Sequence, residues 1–429
     1  MVAQTGDHAH RTLWSAVLLL AAVLFASGMI RTVFSPLQEA AKLDLKLSDF
    51  AVSLVQGLAT GAPVALVSIP LAWVIDHGNR VRLVVALLAI CVFGTVWTSF
   101  ATGLPSLFLA RMLTALGGSC VIPVIISLAA DLCEPGKRGR AMVVLGLGIY
   151  AGVAAAFALG GAVLAALTRH PITVLHGMAP WRETHLLLGL AGAVLLLLIA
   201  FLREPERHEV EQRTAALGPI MRAIWAKRAF LLPLFAGQIG VAMADAAATI
   251  WATPVLIRNY HLQPAEFTGW LAAILLVAGV LGSVLGGLGA DLGHKTGRRG
   301  GLLFVAVLAA AVGIPAALFP VMPGVGGFQI MFFFLILAGT IISVVASTAV
   351  TVLIPNEERG ASMAAFSVIS SIIGVSLAPT LVTLGSTLMG GEQHLAPALA
   401  ATGLATGVIS LAGYALAMRN APKSATVWR

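Results

Sequence analysis

Charged residues inside otherwise apolar stretches are the first candidates for chemistry. Arg31 lies in G-M-I-R-T-V-F-S-P, Arg111 in L-F-L-A-R-M-L-T-A-L and Asp245 in V-A-M-A-D-A-A-A-T-I. A charge at the centre of a spanning helix costs about 2.5–3.5 kcal/mol on insertion scales, so it faces a cavity or a partner. Two guanidiniums present planar forks of N–H donors that fit a carboxylate or phosphate. Asp245 can exchange a proton, with its charge state set by its neighbours. Three roles are open. Arg31 and Arg111 hold an anionic substrate group with Asp245 as the titratable partner, or Arg31 and Asp245 form an outer gate that never meets substrate. In the third, Arg111 pins backbone carbonyls of the first span. Gln56, Tyr150, Gln238, Thr249, Trp251, Ser343 and Ser347 are further candidates for a cavity lining, and each is also readable as a packing residue that satisfies its own hydrogen bonds.

Other chemistries lack their residues. Cys91, Cys120 and Cys133 have no zinc or redox spacing and are expected to pack without a disulfide. His170, His176 and His185 fall near one loop and match no metal motif. No phosphate-binding loop follows a strand, so neither ATP nor any other cofactor is expected. No convergent nucleophile, base or metal set points to an enzyme.

The elements that must hold these charges follow from composition. The chain has 429 residues, 59% hydrophobic and 10% charged, with mean hydropathy +0.97. Soluble domains carry about 25% charged residues. A spanning helix needs about 20 apolar residues, and only helices satisfy their backbone within one segment. The fold expected is all-α and membrane-spanning, with helices near 12–37, 49–75, 82–101, 105–130, 140–167 and 183–203. A second set follows near 229–257, 265–290, 300–320, 327–353, 361–388 and 395–418. The first run follows Arg11 and is expected to be a span, not a cleaved leader. Pro105, and Pro264 followed by Glu266, are helix-start signals.

The charged stretch 204–228 divides an N-terminal bundle, 1–203, from a C-terminal bundle, 229–429. Lys and Arg concentrate on one side: Arg80, Arg82, Lys137, Arg138, Arg140, the linker, Lys295, Arg298, Arg299 and Arg359. The other side holds Lys42, Lys46, Arg169, Arg182 and Arg258. That bias sets both termini in the cytoplasm, and it accounts for the net charge of +8 without a nucleic-acid partner. Landmarks repeat in order between the halves. Ser35-Pro36 matches Thr253-Pro254, Asp76-x-Gly78 matches Asp291-x-Gly293, and the Glu134–Ala141 turn echoes Pro355–Ala361. Parallel repeats around a central site are a transporter design. Asp76 ends the second span, where its charge opposes the helix dipole, so it should seek Arg138 or Arg140 near a neighbouring helix start.

At these residues the chain resembles the major facilitator superfamily of secondary transporters. Asp76-His-Gly-Asn-Arg80-Val-Arg82 is a shortened form of the family's turn after helix 2, and Asp291 to Arg299 is its counterpart after helix 8. Arg111 in A-R-M-L-T-A-L-G-G is similar to the helix 4 arginine motif. Gly152 to Gly161 keeps the spacing of the helix 5 antiporter motif with Ala156-Phe157 at its centre. The resemblance implies twelve helices in two six-helix bundles that alternate access, with helices 1, 4, 7 and 10 around one cavity holding Arg31, Arg111 and Asp245. It also implies that Asp76, Arg80, Arg138 and Arg140, mirrored by Asp291, Arg298 and Arg359, latch the cytoplasmic face. L-A-W-V-I-D-H-G-N-R-V-R, S-L-A-A-D-L-C-E-P-G-K-R-G-R-A and L-R-E-P-E-R look like bacterial spinster-like members, which are associated with lipid or amphiphile transport. Their helix 1 Asp-Arg and helix 4 Gly-Glu-Ala read Ile30-Arg31 and Gly117-Gly118-Ser119 here.

The expectation is a monomeric secondary transporter of the cytoplasmic (inner) membrane. It would move a small organic anion or amphiphile, with H+ as an optional co-substrate. The alternative is a drug or lipid efflux carrier, or an uncoupled facilitator.

Overall fold

The computed structural model describes residues 2–133, 135–170, 177–200, 202, 204–205, 225–354 and 356–422. At 2–13, 69, 135–136, 356–361 and 364 it describes the backbone alone. Within these residues lie 12 helices long and apolar enough to cross a membrane, and no strand. They are α1 (Trp14–Asp44), α2 (Asp49–Ser68), α3 (Arg80–Ser99), α4 (Leu104–Leu132), α5 (Lys137–Arg169) and α6 (Pro180–Ile199). Then come α7 (Arg228–Arg258), α8 (Pro264–Lys295), α9 (Gly301–Val321), α10 (Val325–Leu353), α11 (Ala365–Leu388) and α12 (Glu392–Asn420).

Local chemistry explains the helix starts. Pro lies in the first turn of α4 and Pro180 and Pro264 open α6 and α8, where a missing N–H costs nothing. Glu266 reaches back to accept from the Gln263 N–H at 2.6 Å, and the Asn79 side chain caps α3 by accepting from the Arg82 N–H at 2.7 Å. The first span runs further than expected. One helix ends at Thr32, Val33 joins it to a second, and Phe34–Asp44 continues to Asp44. Ser35-Pro36 reads as a stop, but the proline stands in the first turn of that second helix and is tolerated there.

The contacts form two compact units. Unit 1 comprises Met1–Ser48, Leu66–Gln212 and Gln263–Leu276, and unit 2 comprises Asp49–Ala65, Arg213–Leu262 and Val277–Arg429. The start of α2 therefore packs with the second half of the sequence, and the start of α8 with the first. In unit 1, α1 lies along α5, and α3 lies against α4 and α6. Gly152 of α5 meets the Phe25 carbonyl of α1 so closely that a Cβ would overlap it. In unit 2, α7 lies along α12 and α9 along α10, around a core that includes Phe230, Leu234, Ile342, Val345 and Tyr414. Leu54–Leu58 in α2 and Ser370–Val375 in α11 are π-helical, and the two segments touch. Ser53 Oγ lies 3.3 Å from Thr380 Oγ1 beside them. Single-turn π segments of this kind are frequent at functional sites.

Candidate functional site

In unit 1, Arg111 is 1% exposed, and its long side chain crosses to α1. Its Nη2 donates to the Arg31 carbonyl at 2.6 Å, where α1 breaks after Thr32. The guanidinium gives that carbonyl a charged donor. The guanidinium carbon also stands 5.1 Å from the Phe34 ring centroid, a cation–π contact. Arg111 Nε and Nη1 and Arg31 Nε are buried with no hydrogen-bond partner. Around them stand Cys91, whose Sγ packs at Gly118 beside the Arg31 side chain, and His185. His185 is fully buried in α6, its ring tilted at 5.8 Å from Phe34 and its Nδ1 2.8 Å from the Trp181 carbonyl. His185 Nε2 has no partner. Its place near a loop hid it in the sequence; T-H-L-L-L, a histidine leading an apolar run, was the signal. His170 is exposed, and His176 lies outside the described residues.

The second cluster of unit 1 stands where α3 begins. Arg80 is 3% exposed; its Nε donates to Glu204 Oε1 at 2.9 Å and its Nη1 to Asp131 and to Ser127 Oγ at 3.1 Å. Glu204 also accepts from the Val81 N–H at 2.8 Å, which places a carboxylate at the positive end of α3. Arg80 thus ties α3, α4 and the chain after α6. Asp131 and Glu204 were written in S-L-A-A-D-L-C and L-R-E-P-E-R, yet nothing in their spacing links them to Arg80. Asp76 is exposed in the last turn of the helix ending at His77. Arg138 donates to the Cys133 carbonyl at 3.2 Å, and Arg140 is exposed. In unit 2, Asp291 and Arg298 are exposed, and the side chain of Arg359 lies outside the described residues.

Unit 2 holds Asp245. Its Oδ1 is buried without a hydrogen-bond partner, and its carboxylate lies flat against Gly339 of α10. It faces a cavity lined by α7, α9, α10 and α12, including Gly240, Ala310, Gly313, Ile342, Gly407 and Ser410. The residues lining this cavity all belong to unit 2. Helical register turns Asp245 toward α10, where Gly339 leaves room. Nearby, Gln238 Nε2 donates to Ser343 Oγ at 3.3 Å and Gln238 Oε1 accepts from the Tyr414 hydroxyl at 2.9 Å. Trp251 is fully buried, its Nε1 donating to the Pro379 carbonyl at 3.3 Å. Ser347 Oγ donates to the Ser343 carbonyl at 2.9 Å. Thr249 is half-buried, Gln56 is buried in the π segment of α2, and Tyr150 is half-buried in α5 of unit 1.

Also in unit 2, Arg258 at the end of α7 grips Asp49 at the start of α2 with both Nη atoms, at 2.6 and 2.8 Å. The Asp49 side chain is 2% exposed, and its backbone N–H donates to Glu392 Oε1 at 2.7 Å. Sequence alone gave Arg258 only a topological role. Arg258→Ala strands a buried carboxylate and is expected to cost about 3 kcal/mol. A fall in the thermal midpoint of the purified protein checks this, and Asp49→Asn should restore part of it.

A family model described as Major Facilitator Superfamily matches residues 20–379. An MFS-type efflux pump of Mycolicibacterium smegmatis is 27% identical over 91% of this chain and 89% of its own length. A 3-(3-hydroxy-phenyl)propionate transporter of Escherichia coli is 27% identical over 53% of this chain and 52% of its own. The crystal structure of a bacterial homolog of the human lysosomal transporter spinster superposes with TM-score 0.79 at 21% identity, covering 95% of this chain and 96% of that one. The chain belongs to the Major Facilitator Superfamily and is an integral multi-pass membrane transporter.

Proposed function

We propose that this member of the Major Facilitator Superfamily carries a small organic anion across the cytoplasmic membrane by alternating access. Both termini lie in the cytoplasm, and the chain acts as a monomer. The buried, unpartnered Nε and Nη1 of Arg111, beside the unpartnered Nε of Arg31, support this assignment most directly. A buried cation without a counter-charge is costly, and an arriving carboxylate or phosphate supplies that charge with matching fork geometry. Phe34 adds an apolar wall that suits an aromatic or amphiphilic acid. The contact from Arg111 to the Arg31 carbonyl supports the pin reading as well, and both roles fit one side chain. Coupling to H+ falls to Asp245. Arg80, with Asp131 and Glu204, forms the cytoplasmic latch of unit 1.

A second reading, efflux of an amphiphile, draws on the efflux pump named above. Counterflow in proteoliposomes separates the two, with labelled aromatic carboxylates in one arm and lysophospholipid in the other. Exchange of carboxylates is expected in the wild type. Arg31→Ala should cut it by about 10–150-fold, the equivalent of one charged hydrogen bond of about 1.5–3 kcal/mol. Equal exchange in wild type and variant removes the anion reading; exchange of lysophospholipid alone moves the assignment to efflux.

A further inference from the structure

Three polar side chains of unit 2 form a hydrogen-bonded chain whose direction is set at its buried end. The Tyr414 hydroxyl of α12 donates to Gln238 Oε1 of α7 at 2.9 Å, and Gln238 Nε2 donates to Ser343 Oγ of α10 at 3.3 Å. Exposure rises along the chain: Tyr414 is 0% exposed, Gln238 7%, and Ser343 is part-exposed. Among the described residues Ser343 Oγ donates to no other group.

Packing fixes the tyrosine. A Cβ on Gly237, the neighbour of Gln238, would stand 2.8 Å from the Tyr414 ring, and a Cβ on Gly413 would overlap the Gly237 nitrogen and the Pro233 carbonyl. The ring is thus pressed onto the α7 backbone, within an apolar core that includes Leu234, Ile341 and Val345. The Gln238 amide is the hydroxyl's one hydrogen-bond partner among the described residues.

That burial sets the polarity of the chain. A side-chain amide can turn either its oxygen or its NH2 toward a neighbour, and the neighbours decide which. Turned over, the Gln238 amide would donate to the Tyr414 oxygen and leave the phenolic O–H without an acceptor in an apolar core, at a full desolvation cost. The amide oxygen therefore faces Tyr414 and the NH2 faces Ser343. Ser343 accepts that N–H, so its own hydroxyl proton is left to donate. Successive bonds in such a chain polarise one another and strengthen the last donor.

We propose that Ser343 donates a hydrogen bond to a carbonyl oxygen of the transported molecule, and that Tyr414 is the positioning residue that keeps Ser343 a donor. The substrate class narrows to organic anions carrying a second acceptor oxygen, so the proposal rests on the anion reading above. Tyr414 itself never touches the substrate.

Counterflow of two labelled acids of one shape, 4-acetylbenzoate and 4-isopropenylbenzoate, reads the donor as the ratio of their apparent affinities. The wild type is expected to favour the acetyl acid by about 2–12-fold, the range of one neutral hydrogen bond. Ser343→Ala should bring the two acids to parity. Tyr414→Phe should do the same while leaving exchange of the isopropenyl acid at the wild-type level, because the freed amide turns its oxygen to Ser343 and takes the proton. A tyrosine with only a structural role would change both acids alike. The double variant Tyr414→Phe with Gln238→Met, which has no amide to take that proton, should regain the preference. Equal affinities in the wild type overturn the proposal and leave the anion reading standing, and a preference unmoved by Ser343→Ala or by Tyr414→Phe also overturns it. Exchange of neither acid removes the anion reading and this proposal with it. Arg31→Ala should weaken both acids and keep their ratio, so loss of the anion site and loss of the Ser343 donor are read separately.

Discussion

Arg111→Ala is expected to abolish carboxylate exchange and to lower the thermal midpoint, whereas Arg111→Lys keeps most of the fold and loses most of the exchange. The alanine variant removes three things at once. The Arg31 carbonyl at the break of α1 loses its donor, worth about 1.5–3 kcal/mol for a hydrogen bond to a charged group. The cation–π contact with Phe34 goes, about 1–2 kcal/mol when desolvated. A fully buried long side chain also leaves a void beside Cys91 and His185. Lysine keeps the charge and reaches the carbonyl with one ammonium, but cannot present two further N–H groups in a plane. Thermal midpoints and counterflow on the same preparations separate pin from binding residue. If Arg111→Lys matches the wild type in exchange, Arg111 is only a pin and the anion site must be sought elsewhere.

Arg80→Ala carries the second large effect. One guanidinium balances Asp131 and Glu204 together, with side-chain exposures of 12% and 23%. Removing it leaves two partly buried carboxylates near each other, and breaking a buried pair by deleting one partner costs about 3–5 kcal/mol. Arg80→Ala is therefore expected to lower the thermal midpoint steeply, with the loss reduced in a triple variant that adds Asp131→Asn and Glu204→Gln. Arg80→Lys should recover part of the stability, because a single ammonium cannot reach Glu204, Asp131 and Ser127 in the same geometry. As a latch, the cluster should set turnover: Asp131→Asn is expected to change the maximal rate more than the apparent affinity. A triple variant no more stable than Arg80→Ala would show that the carboxylates are not what the arginine holds in check.

Particular residues show why some of this was legible in the linear chain. Pro105, Pro264 with Glu266, and the Lys and Arg bias are local signals, and helix starts depend on neighbours within one turn. The Asp76–Arg82 turn marked the family for a similar reason, since its residues are close in sequence. Its chief partner was not legible: Arg80 was expected to act within a group with Asp76, Arg138 and Arg140, and the structure sends it to Asp131 and Glu204. Ionic partners are chosen by where helix ends meet, which spacing along the chain does not encode. His185, Ser410 and Gly339 were missed because a lone histidine, serine or glycine in an apolar helix is ordinarily packing. Each becomes notable only beside Phe34 and Arg111, or beside the Asp245 carboxylate, whose Oδ1 has no hydrogen-bond partner.

By itself, then, the sequence determined a multi-pass helical transporter of this superfamily and the charges that had to be explained, because the bilayer imposes its costs residue by residue. Tertiary structure alone decided which of those charges have partners. It gave Arg111 the broken turn of α1, gave Arg80 two carboxylates, and left Asp245 facing Gly339 and a cavity the size of one small occupant. The physical reason is rotation. Hydropathy fixes how long a helix is and that it crosses, but its rotation about its own axis is fixed by packing against its neighbours, and that angle selects what each buried charge meets.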